Sequence, residues 1–331
     1  MNPFAYERVM DDKAAVHAIA ANKDAKFLGG GTNLIDLMKD NVEHPSTLID
    51  ITRVQGLAEV SNGGAMIGAL VRNSDLANHA DVRKNYPLLS MALLSGASPQ
   101  LRNLATTGGN LMQRTRCYYF MDTAFPACNK RKPGSGCAAL TGFNRIHAIL
   151  GQSEECIATN PSDMNVALAA LQAEVHVEGP KGKRTIPIAE FHRLPGKTPQ
   201  IDTTLKHEEL ITHVALPSSA SEFATHSYYL KVRDRQSYAF ALVSVAAGLM
   251  MEGDTIKRAA LAMGGVAHKP WRKKEAEDAM VGKQANAQTF SAAAEILLHG
   301  AKGYEHNSFK IEMAKNSVVR AFSLALVGRT A

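Results

Sequence analysis

The sequence predicts an α+β protein built from more than one domain. Three observations carry this prediction. A strand–helix–strand–helix–strand pattern fills residues 1–55. Short strands and turns then alternate over 56–220, as in a mainly antiparallel sheet. A last stretch, 223–331, reads as three strands followed by three helices.

Small apolar residues at helical spacing mark 14–21 as the first helix. Lys26, Phe27 and Leu28 form a short strand that runs into Gly29, Gly30 and Gly31. Thr32 and Asn33 then open a helix with Leu34, Ile35, Leu37 and Met38 on one face, and 47–51 is the next strand. A strand, a glycine turn and a helix start make an anion site, because free N–H groups and the positive end of the helix dipole face the turn. Further strands are expected at 65–70, 173–177, 184–188 and 210–216. Helices are expected at 74–80, 88–94 and 162–171, the last capped by Ser162. The polar, serine-rich run 218–226 reads as a linker. Beyond it come strands at 228–232, 238–251 and 256–263, then helices at 273–280, 289–299 and 311–327.

With 331 residues, 45% of them hydrophobic, the chain can bury a sizeable core. No apolar run reaches the length of a membrane span. The first residues lack the basic start and apolar centre of a secretory signal, so cytoplasmic synthesis is expected. Export of the folded chain beside a signal-bearing partner is compatible with this. The net charge is +6, but aromatics make up only 6% and no nucleic-acid-binding motif occurs, so nucleic acid is not an expected partner.

The four cysteines, Cys117, Cys128, Cys137 and Cys156, all fall within 40 residues. Such clustering suggests that they act together. Two disulfides would suit an oxidising compartment. Zinc bound by four thiolates usually shows a tight C-x-x-C pair, whereas the gaps here are ten, eight and eighteen residues. An iron–sulfur cluster also takes four thiolates and can be wrapped by one long loop. This loop contains Pro126, Pro133, Gly134, Gly136 and Gly142, and it carries Arg114, Arg116, Lys130, Arg131 and Arg145. Positive charge beside a cluster would raise its potential.

A second close-approach turn, LRNLATTGGNL, follows the first by about 75 residues. Two such turns can grip one pyrophosphate from both sides. Neither is the G-x-G-x-x-G dinucleotide fingerprint. Together with PSDMNVALAAL, ELITHVALP, YLKVRDRQSYAFALVSVA and LAMGGVAHKPWR, the two turns occur in an order that resembles one family. It is that of the medium, flavin-binding subunits of xanthine dehydrogenase and carbon monoxide dehydrogenase.

The resemblance implies a PCMH-type FAD-binding domain of two α/β subdomains, 1–55 and 56–220, and a C-terminal domain of the CO dehydrogenase flavoprotein type, 223–331. It implies that Lys26 to Leu34 hold the FAD pyrophosphate, and that Thr106, Thr107, Gly108, Gly109 and Asn110 contact the pyrophosphate and adenosine side. Asp163 would hydrogen-bond FAD, Ile211 would meet the isoalloxazine through its backbone, and Lys231 would lie near the ring. Most members run directly from the GGN turn to the P-x-D-M element, whereas here about 50 residues intervene. That insertion, 112–160, resembles the periplasmic-type aldehyde oxidoreductases whose FAD subunit holds an extra [4Fe–4S] cluster, with the four cysteines as ligands. A benzoyl-CoA-type reductase is the second match.

The implied role is electron transfer. A large subunit with a molybdenum cofactor and a small subunit with two [2Fe–2S] clusters are the expected partners, and FAD passes electrons to an external acceptor. Nothing in the sequence resembles an NAD site. Two alternatives stand beside this: a stand-alone PCMH flavin oxidase and a zinc-stabilised scaffold subunit.

Overall fold

The structure is a computed structural model, and it describes residues 1–328. The last three residues of the expected C-terminal domain lie outside that range. Three sheets organise the chain. Strands β1 (Ala5–Arg8), β2 (Ala25–Leu28) and β3 (Thr47–Asp50) form a parallel sheet in the order β1-β3-β2. The helix Asp12–Ala21 crosses between the first two and buries Ala15, Val16 and Ile19, with Asp11 as its N-cap. Parallel neighbours need such a crossover, which accounts for the strand–helix alternation.

The second sheet is antiparallel, with β4 (Val60–Ser61), β5 (Met66–Gly68), β6 (Glu174–Gly179), β7 (Gly182–Pro187) and β8 (Leu210–Ala215) in the order β4-β5-β8-β6-β7. Helices Pro87–Ser95 and Asp163–Ala170 share its core. Ser162 caps the latter by accepting from Asn165 N, as expected.

The third sheet holds β9 (His226–Val232), β10 (Val243–Glu252) and β11 (Thr255–Gly264), antiparallel with β10 central. Both faces of β10 are covered. Val243, Val245, Ala247 and Leu249 face the C-terminal helices, while Ala246 joins the core around Asp163–Ala170. This explains why the strand reads as an unbroken apolar run. A Cβ on Gly264 would come within 2.5 Å of both Ser244 Oγ and Val166 Cγ2, so the helix can lie this close only over glycine.

Two expectations need correction. The run 218–226 is no loose linker: Ser218–Phe223 forms a 3₁₀ turn that buries Ala220 and Phe223. Strand β10 starts at Val243 rather than at 238, because Tyr238, Ala239 and Phe240 line a cavity and regular pairing with β9 begins only past them.

The last helix, Phe309–Leu326, buries Lys310 completely. Its ammonium donates to the carbonyls of His147 at 2.8 Å and Gly265 at 2.5 Å. Burial pushes its pKa down to about 7. A lysine depressed in the folded state but near 10.4 when unfolded leaves the unfolded chain holding more protons between those values. Stability should therefore rise with pH from about 7 towards 10 through this group. In thermal melts across that range, Lys310→Met should flatten the slope; an unchanged slope would refute this assignment.

Candidate functional site

The two glycine turns meet backbone to backbone. A Cβ on Gly30 would lie 2.0 Å from the Leu104 carbonyl oxygen, and one on Gly29 would lie 3.0 Å from Thr106 Oγ1. Gly31 has φ +72°, a left-handed value that favours glycine. Thr106 caps the short helix Thr107–Leu111 by accepting from Gly109 N, and Thr107 Oγ1 donates to the Val71 carbonyl. Asn33 does not cap the helix Leu34–Lys39. Its Oδ1 instead accepts from Arg114 N at 3.1 Å, which ties the first turn to the start of the cysteine loop.

A cavity opens on either side of these turns. The larger, about 560 Å³, reaches from Thr32 and Asn110 to Asp163 and Lys231. The smaller, about 270 Å³, is lined by Lys26, Phe27, Gly29, Thr106, Gly108, Gly109 and Ile211. Asn33 and Asn73 line the larger cavity, and each carries a buried Nδ2 with no partner. Buried donors without acceptors are costly, and a bound oxygen-rich group would satisfy both. Asn110 is held by Asn73, Gln113 and Ser162.

Asp163 and Lys231 form a buried ion pair at 2.7 Å, with side-chain exposures of 8% and 3%. Tyr229 OH donates to the other carboxylate oxygen at 2.7 Å, and Lys231 also donates to the Ser95 carbonyl. Burial and this carboxylate raise the Tyr229 pKa well above 10, so its phenol stays a donor.

Of the two residues expected at the isoalloxazine, Ile211 lines the smaller cavity and Lys231 the larger.

The cysteine loop folds into a compact unit of its own. Cys117, Cys128 and Cys156 are buried in one cluster with Leu37, Tyr119, Phe120 and Ile157, and half-buried Cys137 packs against it. The stretches around Cys128 and Cys137 pair as a short antiparallel ribbon. Ala158 N donates to Cys156 Sγ at 3.4 Å, and backbone N–H groups near Cys117 and Cys137 favour their thiolates against the cost of burial. Burial pushes the Cys117 thiol up to about 12 and Cys156 to about 11. As free groups they are inert thiols, so thiolates here require a metal to hold them. Cys117 feels the charges of both Cys156 and Cys128, so the thiols are near neighbours. Yet among the described residues no three His, Cys, Asp or Glu side chains converge closely enough for a single metal ion.

The basic residues of the loop are not a free positive field. Lys130, with its side chain 1% exposed, and Arg114 share Asp202. Arg114 also pairs with Glu43, Arg116 with Asp36 and Arg145 with Asp234. Arg131 donates instead to the carbonyls of Tyr119, Phe120, Asp122 and Phe125. The expectation that these charges raise a cluster potential is therefore weakened, because carboxylates offset most of them. Burial alone would raise the Asp202 carboxyl, but Lys130, Arg114 and His268 bring it down to about 2.

Several of these residues escape sequence reasoning. Asn73, Asp202 and Tyr229 carry no local signal, because they reach the site from distant elements. Arg116 and Tyr118 had one: they flank Cys117, and both line the larger cavity.

A glycine-turn cleft with paired cavities, set on these three sheets, defines a flavin-binding subunit of the molybdopterin dehydrogenase type. Residues 2–219 match the FAD binding domain in molybdopterin dehydrogenase, and residues 228–325 match the CO dehydrogenase flavoprotein C-terminal domain. The chain belongs to the FAD-binding medium subunits of the xanthine and CO dehydrogenase family. It is 50% identical over 329 residues to the aldehyde oxidoreductase FAD-binding subunit PaoB of Escherichia coli K12, covering 98% of this chain and 99% of that one. The glyceraldehyde dehydrogenase medium chain of Sulfolobus acidocaldarius is 28% identical, over 86% of this chain and 83% of its own length. Among solved structures, a carbon monoxide dehydrogenase from Hydrogenophaga pseudoflava superimposes with a TM-score of 0.76 at 26% identity, covering 99% of each chain.

Removing the charge of Asp202 tests how the loop is held. Asp202→Asn leaves the buried Lys130 without a counter-charge and should cost about 3 kcal/mol, the usual penalty for breaking a buried pair. Urea unfolding would read this directly, and a loss below about 0.5 kcal/mol, typical of surface changes, would show that the network is not an anchor.

Proposed function

We propose that this chain is the electron-transfer subunit of a molybdenum-dependent aldehyde oxidoreductase, carrying a [4Fe–4S] cluster beside its FAD. The observation that carries this is the buried four-cysteine loop adjoining the flavin cleft, in a chain with a full-length relative named as an aldehyde oxidoreductase subunit. FAD, when bound, can accept electrons singly and release them singly or in pairs.

In this reading the two turns, 29–33 and 106–110, hold the pyrophosphate, with the free Nδ2 groups of Asn33 and Asn73 as donors. The adenosine end takes the smaller, more apolar cavity beside Phe27 and Ile211. The isoalloxazine takes the larger one, where the Lys231–Asp163 pair forms part of the wall and Tyr118 and Arg116 connect that wall to Cys117. Cys117, Cys128, Cys137 and Cys156 hold the cluster, in a pocket where nearby backbone N–H groups favour thiolates. The cysteine gaps of ten, eight and eighteen residues, with no tight C-x-x-C pair, give the zinc scaffold less support.

The partners are a large molybdenum-cofactor subunit and a small subunit with two [2Fe–2S] clusters, and an external acceptor takes the electrons. Among the described residues no helix is long and apolar enough to cross a membrane. Assembly is cytoplasmic in this reading, and a partner with a twin-arginine signal would carry the folded complex outward.

Anaerobic purification with co-purifying partners should yield one FAD, four iron and four sulfide per chain. Cys117→Ser should lose the iron and keep much of the flavin. Flavin without iron in the unaltered chain would sink the cluster assignment. Gly30→Ala forces a Cβ against the Leu104 carbonyl and should weaken FAD binding at least tenfold, about 1.4 kcal/mol, by flavin fluorescence titration. Unchanged affinity would remove the turn from the FAD site.

A further inference from the structure

We propose that His147 is a positioning residue for the cluster: its Nε2–H donates to Cys117 Sγ, holds that ligand and raises the cluster's reduction potential. The inference rests on the [4Fe–4S] reading above. His147 is 1% exposed, and its Nε2 lies 3.0 Å from Cys117 Sγ. Among the described residues no other side chain hydrogen-bonds a cysteine sulfur.

A ligated thiolate has lost its proton and can only accept. The contact therefore persists in the loaded protein only with the imidazole proton on Nε2. Nδ1 is buried and makes no hydrogen bond, although the Asn144 carbonyl is near enough to favour a proton on the ring. A donor aimed at a ligand sulfur stabilises the extra negative charge of the reduced cluster, and so raises its potential. With the loop's cations largely paired to carboxylates, this single bond is a strong local influence on Cys117.

The fold invests in the placement of His147. The buried Lys310 and Asn307 Nδ2 both donate to its carbonyl, at 2.8 and 3.2 Å. Burying an ammonium is costly unless it is fully hydrogen-bonded. Lys310 comes from the start of the last helix, so that helix helps set the position of a residue in the cysteine loop. Tyr118 closes the other side, with its ring edge-on to His147 at 6.3 Å.

The test uses the purified complex with His147→Leu and His147→Gln. Iron and flavin are assayed, the cluster is titrated by EPR, and exchangeable-proton couplings are measured in the reduced state after transfer to D₂O. We expect His147→Leu to keep iron and flavin, to shift the midpoint to more negative potential and to lose an exchangeable-proton coupling. His147→Gln, which keeps an N–H donor, should recover part of both. Retained iron with an unshifted midpoint and an unchanged coupling would overturn the inference. Loss of iron from both variants would also overturn it, by making His147 necessary for retention rather than for tuning. Wild-type complex without iron would bring down the cluster reading itself, a result distinct from either.

Discussion

The contact between Gly30 and the Leu104 carbonyl is the constraint around which the site is arranged. It brings a turn from the parallel sheet against a turn that follows the helices of the antiparallel domain, with no side chain between them. Any Cβ at Gly30 would wedge the two apart. Because the turns touch, the space beside them divides into two cavities, and a ligand that fills both must cross at the glycines. Extended dinucleotides have such a shape: two bulky ends and a charged waist. The polar atoms left free, Asn33 Nδ2 and Asn73 Nδ2, belong to the cavity that starts at this waist.

The cysteine loop depends on that same region. Asn33, instead of capping its own helix, accepts from Arg114 at the root of the loop. Arg114 then pairs with Glu43, which also binds Lys26 at 2.7 Å from the strand leading into the glycine turn. Asp202 extends the chain of charges to Lys130, which lies close enough to favour the Cys156 thiolate. The glycine turn and the cysteine loop are thus held by one ion network. Disturbing either end is expected to be felt at the other, since groups in one network do not act independently.

Much of this was legible in the sequence, for physical reasons. Glycine triplets and hydroxyl-rich turns announce close approach because few other residues permit it. Clustered cysteines announce shared chemistry, and Ser162 ahead of an apolar helix announces a cap that the structure contains. What could not be read depends on long-range pairing. Asp202 gains its meaning only when Lys130 and Arg114 arrive from about 70 and 90 positions away. Lys310 looks like any helical lysine until the fold places it over the His147 carbonyl. The aromatic stretch before Val243 suggested strand, yet Tyr238, Ala239 and Phe240 line the larger cavity, and bonding to β9 begins only with Leu242 N and the Val232 carbonyl.

The separation of Ile211 from Lys231 bears on how a flavin can lie in the cleft. Motifs in one dimension suggest a single patch of contacts around the flavin, whereas the structure distributes them between two cavities. The cavity holding the Lys231–Asp163 pair is also the one walled by Arg116 and Tyr118, the immediate chain neighbours of Cys117. An isoalloxazine there would lie against the residues that bracket Cys117, while the adenosine end would lie in the other cavity. The reverse orientation would put the more apolar cavity around the redox ring and the Lys231–Asp163 pair beside the adenosine end. Proximity to Cys117 thus favours the first orientation, and it follows from where the glycine turns divide the cleft.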